Sequence, residues 1–214
     1  MGLKKPELLN IEIENGAVSS GGSQYWYPSE GFIPPGACGA TAASNVLAYL
    51  LWTRRALYDI AKKSGLPAPD EHVSKKIFLD FMKIIYQFLY PRLGGLMADG
   101  FVEGIDELAR KYTLPIKAKC LKIPINRSKR PVIGEVNAFI KKSLENDIPV
   151  AFLILSKGCV SVLDTWHWVT VLGLDERRGT VQITDNGKVF WADLNPWLET
   201  SIMGGAFVTL IVTE

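Results

Sequence analysis

Cys38, His167 and Asp185 are the residue types of a nucleophile, a base and an orienting acid, and they occur in that order along the chain. Cys38 follows the irregular approach Pro34-Pro35-Gly36 and precedes an Ala-rich run with strong helix propensity, which places the thiol at or near a helix N-terminus. There it meets the positive end of the helix dipole and free backbone N–H groups, both of which favour thiolate. His167 stands far downstream, in DTWHWVTVLGLDE, at the start of a strand-like run that can hold an imidazole rigidly. Asp185 ends TVQITD, the next strand-like run after the histidine, so two antiparallel strands joined by a short turn would set the pair side by side. A nucleophile served by a base that a third group orients is the arrangement for covalent attack at a carbonyl carbon. The same residues admit a structural role, with Cys38 as a small buried side chain in a tight helix and His167 packed between Trp166 and Trp168.

The other candidates offer less chemistry. Cys120 lies inside an alternating strand pattern and Cys159 between two strands, and both read as structural. Three cysteines without paired spacing make a disulfide framework unexpected, and with no CxxC pair and only two histidines neither a metal nor another cofactor is expected. His72 reads as a solvent-facing residue near the start of a helix. Eight basic residues and no acidic ones fall between Ala109 and Gly134; without interleaved exposed aromatics they read as a solvated face, not a nucleic-acid site.

A net charge of +2 on 214 residues gives no general polyanion-binding surface. The first sixteen residues lack a signal-peptide core, and Pro6 stands where a myristoylation signal wants Ser or Thr. The longest apolar run, near Ile148 to Leu155, falls well short of the roughly 18 residues that span a membrane. The chain is therefore expected to be cytoplasmic, with no membrane or nucleic-acid partner.

The elements that must position the three residues follow from periodicity. Helices are expected from Gly36, over Arg55 to Ser64, over Asp70 to Tyr90 with Val73, Ile77, Phe81, Ile84, Ile85, Phe88 and Leu89 as its apolar stripe, and over Val102 to Tyr112. The glycine-rich stretch PRLGGLMADGFVEG reads as a loop that borders a cleft. Strands are expected for IKAKCLKI, IPVAFLIL, HWVTVLGL, TVQITD, KVFWADL and AFVTLIV, with one more helix over Val132 to Glu145. Most of the four late tryptophans, Trp166, Trp168, Trp191 and Trp197, are expected in the core, with Trp166 or Trp168 walling the cleft. The result is an α+β fold in one domain: an N-terminal extension over 1–35, a mainly helical part over 36–113 with a central thiol-bearing helix, and a mainly antiparallel sheet over 114–214.

GACGATAASNVLAYL, HWVTVLGLDE and TVQITDNG resemble, in this order and at a similar spacing, the thiol helix, the histidine strand and the acid-bearing strand of the papain-like cysteine peptidases, nearest to the bacterial bacteriocin-leader-peptidase-like (C39-like) group. The resemblance implies a papain-like fold and a cytoplasmic thiol hydrolase acting on a peptide or protein substrate. Cys38 would attack a carbonyl, His167 would move the proton and Asp185 would orient the imidazole, with Asn186 as the alternative third member. The family places an oxyanion-hole Gln a few residues before the nucleophile; this chain has Phe32 there, and its only upstream glutamine, Gln24, stands further from Cys38 than the family's spacing. That departure keeps two alternatives open: an inactive papain-like binding module, and a thiol acyltransferase or transglutaminase-like enzyme that passes the acyl group to an amine.

Overall fold

The computed structural model describes residues 1–27, 33–89 and 95–213. Helix α1 (Ala37–Thr53) is buried on every side: Ala, Gly and Ser at its start admit close neighbours, and Val46 to Trp52 fill the core beyond them. Gly36 caps it with φ +74°, a left-handed conformation that costs glycine no Cβ clash. A Cβ at Gly39 would collide with the Leu96 side chain and crowd Trp168, so the absence of a side chain there is what lets α1 approach its neighbours.

Helices α2 (Arg55–Lys63), α3 (Lys75–Phe88) and α4 (Ala98–Lys111) complete the helical part. The α3 helix begins later than periodicity suggests, at Lys75 and not Asp70, because His72 takes φ +58° and Val73 offers its carbonyl to Glu12 N–H at 3.0 Å. Its buried stripe is Phe78, Phe81, Met82 and Ile85, whereas Ile77, expected inside, is exposed. The expected stop at Tyr90-Pro91, and the start of the glycine-rich loop, lie outside the described residues.

Six strands form one antiparallel sheet: β3 (Ile116–Ile123), β4 (Val150–Ile154), β5 (His167–Asp175), β6 (Thr180–Asp185), β7 (Lys188–Asp193) and β8 (Gly205–Val212), in the order β3-β8-β4-β5-β6-β7. Helices α1 and α4 pack on this sheet, as does α5 (Ile133–Glu145). This is the expected α+β architecture, a helical first half with the thiol-bearing helix at its centre against an antiparallel sheet.

Two elements are additional to the pattern expected of the sequence. Residues Asn10–Glu12 and Val18–Ser20 pair as a small hairpin, β1 and β2, that buries Ile11. The run KVFWADL ends as a strand at Asp193, and Leu194–Thr200 forms a short helix, α6, that seats Trp197 against Phe152 and Phe207. Of the four late tryptophans only Trp168 and Trp197 are buried; Trp166 and Trp191 are about half exposed. The basic cluster is partly structural: Arg130 donates to the carbonyls of Pro124, Ile125, Leu198 and Ser201 and so clamps the end of α6.

Candidate active site

Cys38 is the second residue of α1, and it is half-buried. Ala37 N–H donates to Pro34 O and Ala40 N–H to Gly36 O, while the N–H groups of Cys38 and Gly39 have no acceptor among the described residues. These are the free donors that the first turn of a helix leaves.

One buried bond sets α1 against β5: Asn45 Nδ2 donates to Thr170 Oγ1 at 3.1 Å. From Asn45 back to Cys38 is about 10 Å of helix at 1.5 Å per residue, and from Thr170 back to His167 is about 10 Å of strand at 3.3 Å per residue. The thiol and the imidazole are thereby brought to one level at the end of the sheet. Across β5 and β6, Thr170 pairs with Thr184, so Asp185 comes diagonal to His167 in the register. His167 Nε2 and Asp185 Oδ1 are 2.8 Å apart, and the ring also hydrogen-bonds Cys38, for which Nδ1 is the nitrogen left. Burial pulls the His167 pKa down, but the hydrogen bonds to Asp185 and Cys38 and the charges behind them outweigh it and raise the value to about 10.

Asn186, the alternative third member, is not the imidazole's partner. It opens the two-residue β6–β7 turn, where Asn186 (φ +47°) and Gly187 (φ +85°) are both left-handed, as a tight hairpin requires. Its Nδ2 donates to Asp185 Oδ1 at 2.8 Å, and its Oδ1 accepts from Ser23 Oγ and Gln24 N–H, each at 3.0 Å. The same turn holds β2, through Ser20 N–H to Gly187 O at 3.1 Å and through Thr184 Oγ1 to Ser20 O. On the other side Gly22 N–H donates to Asn45 Oδ1 at 2.8 Å. A Cβ on Gly21 would strike Asn45, and one on Gly22 would strike Met82 and Phe78 and crowd Thr41, so the segment threads closely between α1 and α3. Tyr27, just beyond it, lies close enough that burial, then Tyr86 and the Cys38 charge, push its hydroxyl pKa up. Phe32, where the resemblance leads one to expect a glutamine, lies outside the described residues; Gln24 is held by its backbone N–H on Asn186. Sequence reasoning offers Gln24 as the oxyanion candidate but misses the fastening role of Asn186, although the Asn-Gly pair announces the turn.

A cavity of about 120 Å³ opens beside Cys38, walled by Leu96, Met97, Leu153, Trp166 and Trp168, and none of the described side chains that line it is charged. Trp168 is fixed by Nε1–H to Leu96 O at 2.8 Å and by stacking on Phe101, whereas Trp166 is exposed and takes φ +57°. Of the glycine-rich stretch, residues 95–104 are described: Gly95, Leu96 and Met97 border this cleft as expected of a loop, but from Ala98 the stretch is already helix α4, which begins four residues before the expected Val102. Among the described residues no cluster of His, Cys, Asp and Glu is arranged to hold a metal ion, and no helix is long and apolar enough to cross a membrane. Cys120 is half-buried and Cys159 exposed, both unpaired.

No protein-family model matches the chain, and no curated protein matches it. Among solved structures the chain is similar to the peptidase domain of Streptococcus ComA, a bi-functional ABC transporter involved in a quorum-sensing pathway, with 14% identity over 84% of this chain and 93% of that one and a TM-score of 0.39. It is similar also to the N-terminal peptidase C39-like domain of the toxin-secretion ATP-binding protein from Vibrio parahaemolyticus, with 12% identity over 73% of this chain and 93% of that one and a TM-score of 0.34.

Proposed function

We propose that the chain is a papain-like thiol hydrolase that cleaves a peptide or isopeptide bond through an acyl-thioester intermediate. The observation that carries the reading is the imidazole of His167, held at 2.8 Å by Asp185 through Nε2 and turned toward Cys38 with its other nitrogen. Cys38 Sγ attacks the carbonyl carbon while its proton resides on Nδ1 of His167. The oxyanion is met by the free N–H of Cys38, with the Gln24 side chain as second donor. Collapse of the tetrahedral intermediate breaks the C–N bond and the imidazolium protonates the leaving amine. Water, deprotonated by His167, then attacks the thioester and releases the carboxylic acid with the thiol restored. The half-buried Asp185 keeps the ring in one tautomer and orientation throughout.

The test is the pH dependence of iodoacetamide alkylation at each cysteine, resolved by peptide mass spectrometry. Cys38 should alkylate faster than the more exposed Cys159, retain that reactivity below the pH range of an ordinary thiol, and lose the advantage in His167→Ala. A Cys38 no more reactive than Cys159 would sink the reading and favour the inactive binding module. Where Cys38 is reactive, product analysis with and without added amine separates hydrolysis from acyl transfer.

A further inference from the structure

At the far end of α1 from the thiol, roughly 25 Å away by the rise of a 17-residue helix, a cavity of about 540 Å³ opens between α5 and the β3–β8 end of the sheet. It exists because the helices cover the two faces of the sheet unequally. On one face α4 packs across β3 and β8. On the other, α5 packs on β4, β5 and β8 and not appreciably on the outer strand β3. Thr209 faces α5, since its hydroxyl hydrogen-bonds Ser143 of that helix, and the register places Lys119 beside Thr209 on this uncovered face and Lys117 beside Ile211. Lys117 and Lys119 are accordingly exposed, while Ile116 and Ala118, on the α4 side, are buried.

The floor of the cavity has no unmet polar group to offer. Ser143 Oγ already donates to Ile148 O at 2.8 Å and shares a hydrogen bond with Thr209, Asn146 Nδ2 donates to Lys142 O, and the rest of the described lining between the rim cations is apolar, chiefly Phe139, Ile148 and Ile211. Such a surface favours an apolar body. The rim is of the opposite character. Arg54, Lys119 and Lys142 stand around it, and among the described residues no carboxylate lines it and none of the three has an ion-pair partner. Lys141, next in sequence to Lys142 but turned away, is by contrast paired with Glu176 at 2.9 Å. Arg54 is fixed in place: its Nη2 donates to Asn146 O at 2.6 Å and its Nη1 to Thr53 Oγ1 at 3.4 Å. Three like charges on one rim repel one another, and a single anionic group seated among them removes that repulsion.

We propose that this cavity is a binding site for a small amphiphilic anion, a carboxylate head on an unbranched apolar body, with the head at Arg54, Lys119 and Lys142 and the body against Phe139, Ile148 and Ile211. The volume is that of a small-molecule site. The site is separate from the thiol and does not depend on the hydrolase reading. The probe is decanoate, below its micellar range, titrated into the full chain and followed by calorimetry and by amide chemical shifts. Decanol serves as the uncharged control and a capped acidic-apolar hexapeptide as the macromolecular one. Decanoate should bind once, shift the amides of α5 and β8, and weaken as salt rises. Lys119→Glu with Lys142→Glu, both exposed side chains, should weaken it at least about tenfold, equivalent to about 1.4 kcal/mol. Equal binding of decanol, an unchanged affinity in the charge-reversed chain, or binding of the peptide without binding of decanoate would each overturn the proposal.

Discussion

Replacing Asn186 by glycine tests whether the site depends on the turn that fastens it. Asn186 has φ +47°, where glycine sits freely and alanine is strained, so Asn186→Gly removes the side chain and leaves the turn intact. Three hydrogen bonds go: the bond from Nδ2 to Asp185 Oδ1 at 2.8 Å, and those that Oδ1 accepts from Ser23 Oγ and Gln24 N–H at 3.0 Å. A neutral bond contributes about 1 kcal/mol net and one to a carboxylate somewhat more, and water can reach this half-buried site, so a loss of about 2 kcal/mol in urea unfolding is expected. The effect on the thiol should be larger than a uniform loosening would give. Asp185 loses one of its two fixed partners and the Gln24 segment its tie to the turn, so the Cys38 alkylation rate relative to Cys159 should fall about tenfold, equivalent to about 1.4 kcal/mol of lost orientation. Asn186→Asp separates the two roles. It keeps the acceptor for Ser23 and Gln24 but sets a second carboxylate against Asp185, and it should depress Cys38 reactivity with a smaller loss of attachment for the segment. If Asn186→Gly unfolds at the wild-type urea concentration and Cys38 alkylates at the wild-type ratio, the fastening role is wrong, while the triad reading stands on its own result.

Two further perturbations address the histidine and the helix. His167 has its pKa raised from 6.5 to about 10 on folding, so its contribution to stability is fully present below about pH 6.5 and is lost as pH rises toward 10. The stability gap between wild type and His167→Gln, read as urea midpoints across pH 6 to 10, should be a few kcal/mol at the acid end and close with rising pH; a gap that widens with pH contradicts the assignment. Gly39→Ala forces Leu96 and Trp168 away from α1 and should cost about 1–3 kcal/mol, with the fluorescence of Trp168 reporting the displacement; a variant with the wild-type melting temperature would show that α1 is less tightly seated than its contacts imply.

The extent to which the fold can be read from residues depends on where its determinants lie in sequence. The strands of the large sheet are β-branched and aromatic runs bounded by turn signals, and their local pattern is also their tertiary role. The inner face of helix α3 is ambiguous in sequence because Ile77 fits a helical stripe as well as Phe78 does. What decides between them is where the helix begins, and that is set by the bond from distant Glu12 to Val73. The β1–β2 hairpin has strands of only three residues, too short for periodicity to speak. Helix α6 hides because KVFWADL runs into it without a break, though Asp193 before the helix and Pro196 within its first turn are start signals.

Cys38, His167 and Asp185 can be found as a set because each stands at the end of a recognisable element, and the ends of elements are what a sheet with a helix on it brings together. Gln24 and Asn186 stand instead in a short 3-10 turn and a hairpin tip, and no local pattern links them. Their link is a single amide that faces two ways: its nitrogen donates to the carboxylate that also bonds His167, and its oxygen accepts from Ser23 Oγ and Gln24 N–H. For Gln24 to serve as the second donor proposed above, a residue so far upstream of Cys38 needs its position fixed by something other than chain connectivity. The Asn-Gly turn supplies that fixation, through an asparagine whose left-handed backbone conformation few other side chains would tolerate.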